Sequence, residues 1–166
     1  MDSTVKPAIR PATVKDLDAI WQLWKDITAQ KAYFPYDDSF TREQIEDSWI
    51  HLDNLIGVSE VNGIVAGAYI IKANQPGYGN HVANAAYMVD TAFRGKSIGK
   101  LLCAHSLEAA KAAGYRAMQF NLVVSTNTAA IRTWKAFGFK RIGVVPEGFY
   151  QEGAGYVDAY IFHRFL

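Results

Sequence analysis

Cysteine is nearly absent, with Cys103 the one thiol in 166 residues. An internal disulfide is therefore excluded, and a lone cysteine inside a helical pattern reads as a small packing residue rather than a nucleophile. Long apolar runs are missing too: none approaches the roughly 20 residues that span a bilayer. Excess charge of one sign is also lacking, since the formal net charge is +1. Nucleic acid and anionic membranes are accordingly not expected as main partners. Met1 to Lys6 is polar and has no apolar segment of the signal-peptide kind. Repeats, low-complexity tracts and linkers are not found, and no metal site is read. These absences point to one cytoplasmic domain covering residues 1–166.

What is present suits a globular fold: 50% of residues are hydrophobic and 20% charged, and the length supports a core without disulfides or metals. Ile9 to Ala12 reads as a first strand. Thr13 and Asp16 form a capping-box pattern, and Val14, Leu17, Ile20, Trp21, Trp24 and Ile27 recur at helical spacing. Tyr33 to Phe40 is an aromatic-rich loop, after which Thr41 and Gln44 announce a second helix carrying Ile45, Trp49 and Leu52. Strands at Leu55–Val61 and Ile64–Ile71 flank Asn62-Gly63, a strong hairpin signal. A loop at 75–80 leads to a fourth strand, Val82–Val89. Ile98, Leu101, Leu102, His105, Ala109 and Ala112 mark one face of a third helix, ended by Gly114. In the fifth strand, Ala117–Val124, alternation puts Gln119, Asn121 and Val123 on one face and Met118, Phe120 and Leu122 on the other. Thr128–Phe137 is a fourth helix closed by Gly138, and Phe139–Val145 and Gly155–His163 complete the sheet. The order β-α-α-β-β-β-α-β-α-β-β predicts an α/β (α+β) fold, a mixed sheet with helices on both faces.

Chemistry concentrates at the junction Arg94-Gly95-Lys96-Ser97-Ile98-Gly99, between the fourth strand and the third helix. Small residues there let backbone N–H groups approach a ligand, and the helix N-terminus adds partial positive charge, so the junction suits phosphate oxygens. Arg94 and Lys96 add full charges. A second pattern, Asn127-x-x-Ala130-x-x-x-Trp134-x-x-x-Gly138-Phe139, begins 33 positions after Arg94. The first resembles the acyl-CoA pyrophosphate loop of the GNAT superfamily of N-acetyltransferases, Gln/Arg-x-x-Gly-x-Gly/Ala, with Ser97 where that family usually has glycine. The second is similar to the family's Asn-x-x-Ala-x-x-x-Tyr-x-x-x-Gly-Phe, with Trp134 in the tyrosine position. The resemblance implies a mostly antiparallel sheet of about seven strands flanked by four helices. It also implies acetyl-CoA as co-substrate, held in a gap between the fourth and fifth strands.

Carried over by position, the resemblance implies that backbone groups of Met88 and Val89 bond the pantetheine amides. Arg94 to Gly99 would cradle the pyrophosphate with Lys100 nearby. Asn127 would reach the arm, and Ala130 and Trp134 would line its path. The backbone N–H of Val89 is the family-like donor to the oxyanion. Deprotonating an alkylammonium costs about 4 kcal/mol at pH 7, so a base, or water leading to one, belongs at the cleft. His81 is a candidate base, with Glu60 a weaker one; each also reads as an ordinary loop or solvated residue. Indole is no practical proton source, which makes Tyr87 the alternative acid to Trp134, with core packing as its other role. Asn121 sits amid apolar strand residues, either facing the acceptor or satisfied by backbone. Phe34, Tyr36 and Asp37, with Asp38 and Phe40, would cover the acceptor pocket, or equally plug the first two helices and sit solvated. The segment from Phe120 to Asn127 also resembles the azetidine-carboxylate and proline-analogue N-acetyltransferases of this superfamily, which implies that Asn121 touches the acceptor.

The function expected is transfer of acetyl from acetyl-CoA to a small or amino-acid-like amine by direct attack in a ternary complex. A protein N-terminal or lysine acetyltransferase and a non-catalytic acyl-CoA sensor are the alternatives. Oligomeric state is left open, a homodimer included.

Overall fold

The structure is a computed structural model that describes residues 6–166; Met1 to Val5, most of the polar stretch noted above, lie outside the described residues. Asn62 and Gly63 both take left-handed backbone, with φ of 51° and 77°. That two-residue turn matches the twist of paired strands, and it folds β2 (Leu55–Val61) onto β3 (Ile64–Ala73). β1 (Ala8–Pro11) pairs with the far side of β2, and β4 (Val82–Val89) with β3. β5 (Ala117–Val124) follows β4 in parallel. A final hairpin of β6 (Lys140–Gln151) and β7 (Gly155–Phe165) completes the sheet, in the order β1-β2-β3-β4-β5-β7-β6. Every pairing except β4–β5 is antiparallel.

Two cores sandwich this seven-stranded sheet. On one face, α1 (Leu17–Ala29) and α2 (Arg42–Ser48) bury Ile20, Trp24 and Ile45 against Val58, Ile70 and Met88. On the other, α3 (Ile98–Ala112) and α4 (Thr128–Ala136) cover Tyr69, Met118, Phe120 and Phe162. The expected fold, a mixed, mostly antiparallel sheet with four helices, is therefore the observed one. No helix among the described residues is long and apolar enough to cross a membrane.

Several details differ from the sequence reading. α2 stops at Ser48, and Leu52, read on its buried face, is 48% exposed. The buried face of α3 is rotated to Leu102, Cys103, Ser106 and Ala110, while Leu101 and Ala112 face outward. Cys103 is fully buried and its thiol is pushed up to about 12 by desolvation, the packing role expected of it. β6 runs through the region read as a glycine-rich connection, interrupted by irregularities at 141–143 and 145–149.

β5 holds the difference that matters most for function. Phe120 pairs with Phe162 but Val123 with Tyr160, so β5 carries one residue more than β7 between those points. A bulge of this kind resets alternation. Val123 consequently joins Met118 and Phe120 in the α3-side core, instead of sharing a face with Asn121.

A charged cluster fixes where α1 begins. Arg10 on β1 donates from Nη1 and Nη2 to the two carboxylate oxygens of Asp16, at 2.8 and 2.9 Å, and from Nε and Nη2 to Glu60 Oε2, at 3.1 and 2.9 Å. Thr13 N–H adds a bond to Asp16 Oδ2 at 2.7 Å. These bonds outweigh desolvation and hold the buried Asp16 carboxyl at about 2 rather than 3.8. A depressed carboxyl stabilises the fold above its ordinary range and loses that contribution as the pH falls towards 2. Asp16→Asn is expected to cost about 1–2 kcal/mol at neutral pH, allowing for water screening of the partly exposed guanidinium. It should also flatten the loss of stability between pH 4 and 2, as read by urea unfolding across that range.

Candidate active site

The site starts where two strands part. β4 and β5 pair only at Val82–Ala117 and Ala83–Met118, although both continue well beyond. On its other side β4 pairs with β3 without a break from Ala83 to Val89. Bonds from Asn74 N–H to the Val82 carbonyl and from Asp90 N–H to the Ala66 carbonyl bracket that ladder. In an antiparallel pair, backbone groups point to alternate sides. The N–H and C=O of Asn84, Ala86 and Met88 therefore turn toward β3, and those of Ala85, Tyr87 and Val89 turn into the gap. Unpaired main-chain groups of this kind need water or a ligand.

The C-terminal end of β4 leads through a 3-10 turn at Thr91–Phe93 to the start of α3. Gly95 and Ser97 take left-handed backbone, with φ of 77° and 60°, and turn the chain sharply into the helix. The first helical bond runs from Leu101 N–H to the Ser97 carbonyl, so the N–H groups ahead of it have no partner within the helix. A Cβ added at Gly99 would meet only Val89 Cγ2, at 3.9 Å. This small, positive, donor-rich cradle suits phosphate oxygens.

A cavity of about 680 Å³ passes from Gly99, Ala130 and Trp134 through the gap to Trp24, Tyr36 and Trp49 on the opposite face. Arg94 is its one charged lining residue among those described, and no Asp, Glu, His or Lys reaches it. Asn121 on β5 links it to a short carboxamide network. Gln119 Nε2 donates to Asn121 Oδ1 at 3.1 Å, and Asn121 Nδ2 donates to Asn74 Oδ1 at 2.6 Å. Asn84 lines the same cavity from β4.

Comparison with known proteins decides what this cleft belongs to. The model of the Acetyltransferase (GNAT) family matches residues 18–139. The chain belongs to that family. N-acetyltransferase aca1 of Schizosaccharomyces pombe is 33% identical over 146 residues, covering 78% of this chain and 70% of the relative. The structure of a GCN5-related N-acetyltransferase from Kribbella flavida superposes with a TM-score of 0.91 at 36% identity, over 96% of this chain and 98% of that one. YncA of Salmonella typhimurium, solved with its cofactor acetyl-CoA, shares the fold at 22% identity and TM-score 0.84, over 97% and 94% of the two chains. The protein is thus a GNAT acetyltransferase, dependent on acetyl-CoA.

Within this GNAT fold the structure sorts the residues singled out in the sequence. Val89, Arg94, Gly99, Asn127, Ala130, Trp134, Asn121, Phe34 and Tyr36 all line the cleft. Met88 does not: its side chain is fully buried on the α1 side, and its backbone groups turn to β3 rather than into the gap. Ile98 is buried, so only its backbone faces the turn, while Gly95, Lys96, Ser97 and Lys100 are exposed around it. Lys96 Nζ lies 5.2 Å from the Phe93 ring centroid. Asn127 caps α4, accepting from Ala130 N–H at 3.3 Å.

The acid–base candidates fare differently. His81 is exposed and precedes β4 at the end opposite the α3 turn, outside the cleft lining. Glu60, on β2, is held by Arg10 of β1. Asp37 is exposed and accepts from Ser39 N–H at 3.0 Å and from the Ser39 hydroxyl, which lowers its carboxyl. Asp38 is exposed too, and neither lines the cleft. The ring of Tyr87 lines it, but its hydroxyl sits 2.7 Å from Ser106 Oγ, whose own proton goes to the Cys103 carbonyl. The Tyr87 hydroxyl therefore donates to Ser106, and burial drives it well above its usual range. That is a packing role. Asn121 lines the cleft, and other carboxamides rather than backbone satisfy it.

Sequence reasoning missed Asn84, Trp24 and Trp49 as cleft residues. The two tryptophans carried only a core signal, which they also honour at 2% and 6% exposure. Asn84 had a usable signal, a carboxamide inside an apolar strand, as Asn121 did. Ser97 explains its own departure from the family pattern: glycine suits that position because φ is positive, a region that costs non-glycine residues roughly 1–2 kcal/mol. Ser97→Gly is expected to raise stability by about 0.5–1 kcal/mol, net of the added freedom of the unfolded chain. Unchanged or lower stability in denaturant titration would contradict that account.

Proposed function

We propose that the protein transfers acetyl from acetyl-CoA to the amine of a small or amino-acid-like acceptor, by direct attack in a ternary complex. The observation that carries this reading is the through-sheet cleft, which joins a phosphate cradle on one face to an aromatic chamber on the other. The first N–H groups of α3 and the guanidinium of Arg94 hold the pyrophosphate, with Lys96 and Lys100 adding charge around the turn. Backbone groups of Ala85, Tyr87 and Val89 bond the pantetheine amides, a role in which Ala85 and Tyr87 replace Met88. Asn127 and Ala130 flank the arm, and Trp134 closes its side.

The acceptor enters from the face walled by Trp24, Phe34, Tyr36 and Trp49, where Asn84 and Asn121 offer it neutral hydrogen bonds. Its nitrogen attacks the thioester carbon, forming a C–N bond, and the Val89 N–H receives the developing oxyanion. Collapse breaks the C–S bond, and the thiolate departs. With no carboxylate or histidine lining the cleft among the described residues, water carries the ammonium proton away. A covered chamber favours a small acceptor over a protein chain, and the resemblance to the azetidine-carboxylate subgroup supports an amino-acid-like one. The absence of a cleft base favours one second reading, an acyl-CoA sensor, which would bind the thioester and release no thiol with any amine.

Thiol release across a panel of amines tests the proposal directly; tight acetyl-CoA binding without turnover on any of them would establish the sensor. Gly99→Trp is expected to fill the mouth of the cradle and raise the acetyl-CoA KM by about tenfold or more, a loss on the order of 1.4 kcal/mol. Unchanged kinetics would remove the diphosphate from this turn. Asn84→Ala and Asn121→Ala are expected to lower kcat/KM for the acceptor by about tenfold, one hydrogen bond each, while sparing acetyl-CoA affinity. Equal losses for both substrates would place these amides in packing alone.

A further inference from the structure

Gln30 is a residue that none of the family patterns touches. It is the C-cap of α1, half-buried, and its side-chain amide is engaged at both ends. Its Nε2 donates to the Asp26 carbonyl in the last turn of α1 at 3.1 Å, and its Oε1 accepts from Arg94 Nη2 at 2.6 Å, across 64 residues of sequence. The Asp26 bond fixes which way the amide points, leaving the oxygen aimed at the guanidinium. The guanidinium carbon also lies 6.0 Å from the Tyr33 ring centroid, within cation–π range. Arg94 is otherwise exposed, and a free arginine side chain has considerable rotamer entropy to lose on binding.

We propose that Gln30 is a positioning residue for the co-substrate, holding the Arg94 guanidinium at the cleft mouth before acetyl-CoA arrives. The proposal rests on the placement of the diphosphate at residues 94–99. The physics favours a neutral amide here. A carboxylate at this position would pair with Arg94 and compete with the diphosphate, whereas a carbonyl oxygen orients the cation and leaves its charge uncompensated. Four further donors of the guanidinium remain for the ligand. Pre-ordering lowers the entropy lost on association, so its effect belongs in ground-state affinity and not in the chemical step.

The test measures CoA binding by calorimetry, which needs no knowledge of the acceptor, in a cycle of unmodified protein, Gln30→Met, Arg94→Met and the double variant. Methionine keeps the length of the side chain and removes both hydrogen bonds. Gln30→Met is expected to weaken CoA binding about three- to tenfold, the range of one or two net hydrogen bonds, and to add less than about 1.5-fold once Arg94 is methionine. Equal weakening in both backgrounds, or none in either, overturns the proposal and leaves Gln30 a helix cap. A thermal midpoint for each variant separates misfolding from lost positioning, and Gln30→Glu supplies the check if Gln30→Met is unstable. Glutamate must bind CoA less tightly than glutamine does; tighter or equal binding overturns the proposal. No CoA binding by the unmodified protein removes the cofactor placement as well, whereas binding that ignores Gln30→Met removes this inference alone.

Discussion

The separation of β4 from β5 is the constraint on which the rest of the molecule turns. Two strands that begin as parallel neighbours, at Ala83 and Met118, cease to pair while both still have several residues to run. An aromatic wedge packs on the α3 side of the place where they part. Tyr87 from β4 meets Phe120 from β5 edge-on at 5.8 Å and Trp134 from α4 at 4.9 Å, and Phe120 stacks on Phe139 at 4.5 Å. Ordinary alternation points the Phe120 ring into the α3-side core and leaves Asn121 at the cleft, and the bulge that follows brings Val123 to the core side as well. What remains is an inner edge of unpaired amide groups in the middle of a sheet. Such an edge is a template for anything that presents donors and acceptors at strand spacing, and an arm built from two amide units, such as pantetheine, can complete it.

The wedge also joins two sites that would otherwise be separate. α3 covers one face of the sheet and α1 and α2 cover the other, so a ligand on one face would ordinarily never meet one on the other. The gap opens a passage between the two faces where β4 and β5 cease to pair. In the proposed reaction, a thioester held by α3 is thereby presented to an amine held by the aromatic loop after α1, with β4 supplying main-chain donors between them. Arg94 belongs to both halves: it follows β4, lies beside Tyr33 and bonds the end of α1. The Arg10–Asp16–Glu60 cluster, remote from the cleft, sets where α1 begins and so where its last turn meets Arg94.

Much of this was legible in the sequence wherever one local rule sufficed. Asn62-Gly63 determines its hairpin by left-handed backbone, Thr41 and Gln44 cap α2 as their types require, and the turn at 94–99 declares a helix N-terminus beside small residues. Reading failed where an extra residue or a neighbour decides. The bulge in β5 is invisible to strict alternation, so Val123 was assigned the wrong face. Met88 has the composition of any strand residue, and only the ladder with β3 shows which way its backbone points. Asp37, Glu60 and His81 looked available because sequence cannot show that Ser39 and Arg10 already engage the first two, or that the third stands at the far end of its strand. Gln30 gave no signal, since its partner is 64 residues away.

The chemistry of the cleft can be weighed by comparing its two proton transfers. A leaving thiol of ordinary pKa, about 8.5, lies only some 1.5 units above neutrality, so protonating the thiolate is worth at most about 2 kcal/mol at pH 7. An alkylammonium near 10 demands about 4 kcal/mol to lose its proton. Replacing the family's tyrosine with Trp134 therefore gives up the smaller of the two contributions, and it returns a larger ring that packs on Tyr87 and Phe120. The missing base is the heavier omission. In the proposed reaction, the neutral carboxamides and aromatic walls of the chamber neither repel an ammonium nor accept its proton, so the amine would reach the thioester by losing that proton to solvent on the way in. Proton loss before the chemical step makes turnover rise with pH through the acceptor's own pKa, and it assigns the steepness of that rise to the substrate rather than to any side chain in the cleft.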